Sequence, residues 1–519
     1  MRFYLALATA LQVSYAASEP RQTASVSVQT TSGLLRGTEA NGLSIFKGVR
    51  FGQAPTGPLR WAPPVAFTST APQNATALGP ACVQQFPFAS AAINEKLFNT
   101  PAPPESEDCL FLNVWAPAST GATLPVVIWI YGGALAFGTA WTPEYDGASL
   151  ASNQSIIVVS FNYRTNVFGF PESPDLPLAG NNLGFLDQEL AFQWVQSNIA
   201  KFGGNPKQVT IMGQSAGGRS VAAAYVRHPA GTAPFRAAII LSGGIAATSP
   251  TPPQAFANFN DMASAVGCEQ SPGAARLACL KQIPASTIRT FTNGASSGTW
   301  GSLVDNVTLF SDPLQRIRNG QTSKVPFVIG HAENDGSVFA LNKNNLTTYL
   351  SNTFGTLVTA DQVRALYASG LNDNAVIAEV IKDFVFLCPA ELWGAAAVSA
   401  GTNVYRYAYG PVFSDLQLFT NAGAWHSSEL FEIFGTYPSD ATAAEKTLSL
   451  TMQAIVANFA RNPAAAPAPN WPKYGPGKTL AKLAYNANVA LSSVVQTAGN
   501  SSLDSPCDSL WNKFLDVRV

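Results

Sequence analysis

Unbroken apolar runs recur along the chain at intervals too wide for hairpins. Residues 125–131 (PVVIWIY), 155–161 (SIIVVSF), 209–212, 237–241 and 325–330 carry few polar positions. A strand wetted on one face would alternate, so these runs predict strands covered on both faces. Residues 111–115 add another strand. Residues 403–409 alternate, which predicts a position nearer a sheet edge. Between the runs the period changes. Over 187–201, Ala191, Trp194, Val195 and Ile199 share a helical face, and Phe202-Gly203-Gly204-Asn205-Pro206 stops that helix. Strands separated by helical segments imply right-handed crossovers. The expected class is α/β, a large mostly parallel central sheet with helices on both faces.

Other stretches read differently. Residues 33–37 (GLLRG) predict an early hairpin. Residues 54–64 hold too many prolines for a central strand. Residues 82–104 show no clear period and are expected to form a long loop, closed if Cys82 bonds Cys109. The first residues, MRFYLALATALQVSYA, hold one early Arg2, an apolar run and small residues at Ser14 and Ala16. That is the pattern of a secretory signal over 1–17, followed by a single catalytic domain over 18–519. Residues 462–477 are expected to be a terminal loop packed by Trp471 and Tyr474.

One stretch carries chemistry. Residues 208–220 read QVTIMGQSAGGRS: a strand, Gly213-Gln214-Ser215-Ala216-Gly217, then a helical segment. Strand, sharp turn and helix form the context in which G-x-S-x-G presents a nucleophile. A serine needs a base, and the base needs an orienting carboxylate. The chain has three histidines, His228, His331 and His426. The chain order of such folds is Ser, then Asp or Glu, then His, which selects His426. The acid is expected after the strand at 325–330, at Glu333 or Asp335. Asp335 is favoured because Gly336 lets its turn approach the site. Residues 131–135 (YGGAL) follow a strand. They predict an oxyanion site from the backbone N–H groups of Gly133 and Ala134 with that of Ala216.

Composition narrows the partners. Of 519 residues, 47% are hydrophobic and 12% charged, and the net charge is −1, so a large core forms readily. No charge block invites nucleic acid or an anionic membrane surface. No later run is long and apolar enough to span a membrane. A secreted chain permits disulfides among Cys82, Cys109, Cys268, Cys279, Cys388 and Cys507. Short closures favour 82–109 and 268–279, leaving 388–507, although six cysteines allow about 15 pairings. Neither the cysteine spacing nor three histidines suggests a metal site, and no cofactor is expected. Sequons at Asn74, Asn153, Asn306, Asn345 and Asn500 are glycosylation candidates.

Several stretches together resemble the type B carboxylesterase/lipase family of α/β hydrolases. They include GPLRWAPP (57–64), SEDCLFLNVWAP (106–117), WIYGGA (129–134), VTIMGQSAGG (209–218), ENDGS (333–337) and HSSELFEIFG (426–435). The resemblance implies Ser215 as nucleophile, Asp335 as acid and His426 as base. It implies Gly133, Ala134 and Ala216 as oxyanion donors. It supports the 82–109 and 268–279 disulfides, and ion pairs Arg60–Glu107 and Arg164–Asp187. Three residues depart from the family pattern: Gln214 for Glu, Ala134 for Gly and Asp335 for Glu. The expected protein is a secreted serine hydrolase of carboxylic esters with apolar acyl or aryl parts, phenolic or feruloyl-type esters among them. One rival is a lipase whose 82–109 region is a lid; another is an adhesion protein on the same fold.

Overall fold

A computed structural model of the chain describes residues 24–87, 91–118, 121, 123–245, 252–499 and 503–515. The expected signal at 1–17 and the sequon at Asn500 lie outside them. The strands that matter are Ala24–Thr30 (β1), Gly33–Ala40 (β2), Leu43–Arg50 (β3), Phe111–Pro117 (β4), Leu124–Ile130 (β5) and Ile157–Phe161 (β6). Gly204–Gln214 (β7), Ala237–Leu241 (β8), Phe327–Ala332 (β9), Val404–Tyr409 (β10), Leu480–Leu483 (β11) and Val495–Ala498 (β12) follow. They form one sheet in the order β1-β2-β3-β4-β6-β5-β7-β8-β9-β10-β11-β12. From β6 to β11 every neighbouring pair is parallel; the outer pairs are antiparallel.

The unbroken apolar runs became the parallel centre. Every residue of β5, β6 and β8 is buried, because helices cover both faces. The helices used below are Ala91–Phe98 (α1), Leu183–Asn198 (α2), Ala216–Arg227 (α3), Cys388–Ser399 (α4), Leu430–Phe434 (α5) and Ala443–Arg461 (α6). Of these, α2, α3, α4 and α6 pack directly on sheet strands.

Two expectations need correction. The strand at 403–409 is not near an edge: all of β10 is buried, and β11 and β12 lie beyond it. Its alternation arises because Arg406 is buried with a partner, two hydrogen bonds of 2.8 and 2.9 Å to Asp504, and does not face water. Residues 82–104 are not all loop, since α1 lies within them. The disulfides join Cys82 to Cys109, Cys268 to Cys279 and Cys388 to Cys507, as spacing and resemblance predict. The expected ion pairs are bidentate: Arg60–Glu107, partly buried, at 2.6 Å, and Arg164–Asp187, buried, at 2.7 and 2.8 Å. Trp471 and Tyr474 are buried in the terminal loop.

Candidate active site

β7 ends at Gln214 and α3 begins at Ala216, so Ser215 stands alone between strand and helix. Its backbone, at φ 57° and ψ −124°, lies outside the regions open to an ordinary L-residue. Its N–H donates to the Leu241 carbonyl at 2.9 Å, which ties the turn to the end of β8. The flanking glycines make the turn possible. A Cβ on Gly217 would stand 2.0 Å from the Ile130 carbonyl oxygen, and one on Gly213 would stand 2.4 Å from the Gly217 carbonyl. Any larger residue would push the helix off the strand. Ala216 is the first residue of α3, so its N–H has no acceptor within the helix.

His426 and Asp335 come from loops after β10 and β9. His426 Nδ1 and Asp335 Oδ1 are 2.8 Å apart, and both residues are buried. The other carboxylate oxygen accepts from the Ser242 hydroxyl and the Ala332 N–H, each at 2.8 Å. Asn334 joins the two loops: its N–H donates to the Ala424 carbonyl at 2.9 Å, and its side-chain oxygen accepts from the Ala424 N–H at 3.0 Å. With Nδ1–H given to Asp335, the imidazole's Nε2 is left as an acceptor. Gln214 supplies that nitrogen with a donor, its Nε2 lying 3.1 Å from His426 Nε2. The imidazole therefore lies against the residue just before Ser215. Phe339 and Phe386 flank it, with ring centroids 5.0 and 4.8 Å from the imidazole. Phe386 belongs to a π-helical segment, Lys382–Leu387, an irregularity that recurs at functional sites.

Ser215, Gln214 and His426 all line one cavity of about 590 Å³. Gly133 and Ala134 line it too, on the turn after β5. A Cβ on Gly132 would sit 2.9 Å from the Ser215 Cβ, so this turn lies against the serine. Gly133 at φ +107° and Ala134 at φ +56° bend it sharply. Much of the remaining wall is apolar: Phe98, Phe137 and Leu341, with Leu97 and Ile93 from α1.

The alternatives settle elsewhere. Glu333 is half-buried and accepts the Tyr485 hydroxyl. Gly336 makes its close approach to the Ala378 carbonyl, not to the cavity. His331 is buried on β9, and burial holds its pKa well below the ordinary histidine value, so it is a neutral core residue. His228 lies 3.1 Å from Glu189, which also pairs with Arg227. Asn74, Asn153, Asn306 and Asn345 are exposed. Ser242, Asn334 and Phe386 were missed by sequence reasoning. Ser242 alone left a signal: a polar residue ending a buried strand on the side where Ser215 emerges.

Residues 24–498 match the model of the carboxylesterase family. The chain belongs to that family. Carboxylesterase 1C of Rattus norvegicus is 31% identical over 463 residues, 83% of this chain and 84% of that protein. Secreted lipase 1 of Botryotinia fuckeliana (strain B05.10) is 32% identical over 500 residues, 84% of this chain and 85% of that protein. A solved PNB esterase is 28% identical, with a TM-score of 0.77, covering 93% of this chain and 99% of that one. The chain is thus a carboxylesterase-family hydrolase with the α/β-hydrolase fold, and among its described residues no helix is long and apolar enough to cross a membrane.

Proposed function

We propose that the protein is a secreted carboxylic ester hydrolase in which Ser215, His426 and Asp335 act together through an acyl-enzyme. The observation that carries this reading is the 2.8 Å contact of His426 with Asp335 beside a cavity that Ser215 also lines. The ester carbonyl sits at the elbow. Ser215 Oγ attacks its carbon while His426 Nε2 takes the hydroxyl proton. Charge develops on the carbonyl oxygen, and the N–H groups of Gly133, Ala134 and Ala216 receive it; one such donor is typically worth about 3 kcal/mol in the transition state. His426 then protonates the departing alcohol. Water, deprotonated by the same nitrogen, releases the acid and restores the serine. Asp335 holds the ring and balances the imidazolium that forms twice in each cycle.

The apolar wall favours esters with apolar acyl or aryl parts. Three disulfides and exposed sequons at Asn74, Asn153, Asn306 and Asn345 support secretion and glycosylation, and one continuous sheet supports a single catalytic domain. A fluorophosphonate probe tests the chemistry. The wild type is expected to label at Ser215 and Ser215→Ala is not; equal labelling of both removes the proposal. A second reading, lipolysis at an interface, is favoured by α1, which lies inside the Cys82–Cys109 loop and contributes Leu97 and Phe98 to the cavity wall. A rate that climbs when a triglyceride passes its solubility limit would select it.

A further inference from the structure

A second cavity of about 240 Å³ lies next to the first and shares Leu97, Phe98, Thr142, Tyr145 and Ser427 with it. It runs on to Trp425, the residue before His426, and to Phe431. Pockets for whole ligands span roughly 300–1,000 Å³, so this chamber suits one arm of a molecule whose ester lies at Ser215. Four aromatic side chains, Phe98, Tyr145, Trp425 and Phe431, line it beside Leu97, Leu418 and Leu430. Such walls take a flat, apolar group.

Four polar residues interrupt this lining, Lys96, Thr142, Ser427 and Glu144, and of these Glu144 carries a buried oxygen without a partner among the described residues. Glu144 reaches the chamber from a tight turn at Pro143–Tyr145. Its Oε2 is buried and has no hydrogen-bond partner among the described residues. Its backbone carbonyl is already engaged, accepting from the Thr436 hydroxyl at 3.0 Å, so the turn is anchored independently of the side chain. Burial raises the Glu144 pKa above the ordinary carboxyl value. Lys96, the other charged residue lining the chamber, is exposed on α1. A ligand that brings a donor into the chamber would satisfy this buried acceptor.

We propose that this chamber is a specificity subsite for a hydroxyaryl arm of the ester, its ring held among Phe98, Tyr145 and Trp425 and its hydroxyl donating to Glu144. The inference rests on the esterase reading and adds the residues that select a hydroxyaryl ester. A hydroxyl that meets this acceptor displaces no existing hydrogen bond within the protein, and a ring without one leaves the acceptor unpartnered. The geometry does not depend on whether the arm belongs to the acid or the alcohol.

Two ester pairs test it. One is methyl 3-(4-hydroxyphenyl)propanoate against methyl 3-phenylpropanoate; the other is 2-(4-hydroxyphenyl)ethyl acetate against 2-phenylethyl acetate. In at least one pair the wild type should prefer the hydroxylated ester by roughly tenfold in kcat/KM, mainly through KM. Glu144→Leu should reduce that ratio to below about twofold, and Glu144→Gln, which keeps an acceptor, should retain most of it. The ratio is read within one enzyme, so it does not depend on how much of a variant folds. No preference in either pair, or a preference that survives Glu144→Leu, overturns the subsite. Ser215-dependent turnover of p-nitrophenyl acetate separates the two readings. If it is present without the hydroxyl preference, only the subsite falls; if it is absent, the esterase reading falls first and takes the subsite with it.

Discussion

Two buried acidic regions lie close in sequence or space to His426, and the protein treats them in opposite ways. Asp335 is fully buried, yet the imidazole, the Ser242 hydroxyl and the Ala332 N–H all meet its oxygens at 2.8 Å. That environment is built for an anion. Glu429, three residues after His426, is equally buried, and neither of its oxygens has a hydrogen-bond partner among the described residues. Burial first, and the charge of Asp335 second, push its pKa well above the ordinary carboxyl value. Glu432 is pushed up to about 8, again mainly by burial. Depth is therefore not what makes a carboxylate useful to the site. Donors supplied by other strands and loops decide whether a buried acid is hydrogen-bonded or left bare.

The comparison can be broken most directly at Asp335. Asp335→Asn keeps the shape and removes the charge, and it should lower kcat about 10⁴-fold on a p-nitrophenyl ester. A loss of less than tenfold would mean that its three donors serve structure alone. Gln214→Glu sharpens the contrast from the other side of the imidazole. It places a carboxylate near Nε2, which favours the protonated ring, so the acid limb of the kcat/KM profile should move up by about one pH unit. An unmoved limb would show that position 214 has no electrostatic hold on the base.

Glu432 gives the smallest effect and works through stability. Its folded pKa, about 8, exceeds its ordinary value of 4.5. Below pH 4.5 both folded and unfolded chains hold the proton, and the group costs nothing. As the pH rises from 4.5 towards 8, the unfolded chain releases it more readily and folding is progressively disfavoured. Glu432→Gln should therefore raise Tm by a few °C at pH 8–9 and leave it unchanged near pH 4.5. A gain of equal size at both ends would point to packing instead of ionisation.

Much of the site was legible because its parts are local. Gly213 and Gly217 are demanded by contacts within one strand–turn–helix, and a chain with three histidines offers few bases. Asp335 needed a choice over Glu333 that local sequence supports only weakly, since both follow the same strand. The helix inside 82–104 was missed because its residues carry no clean period; α1 has no fully buried position. The alternation in β10 misled for the opposite reason, since a buried Arg406 looks like a solvent-facing one until Asp504 is placed beside it.

The sequence by itself determined the buried strands, the sharp turn at Ser215 and the short list of residues able to act there, because sterics and hydrophobic period operate over a few neighbouring positions. Only the tertiary structure decided that Ser242 would hold Asp335, that Asn334 would join the loops of Asp335 and His426, and that Gln214 would reach the far nitrogen of His426. It also left Glu144 Oε2 and both Glu429 carboxyl oxygens without a hydrogen-bond partner among the described residues. Hydrogen bonds and desolvation depend on groups brought together from distant parts of the chain, and no local pattern records which of them will meet.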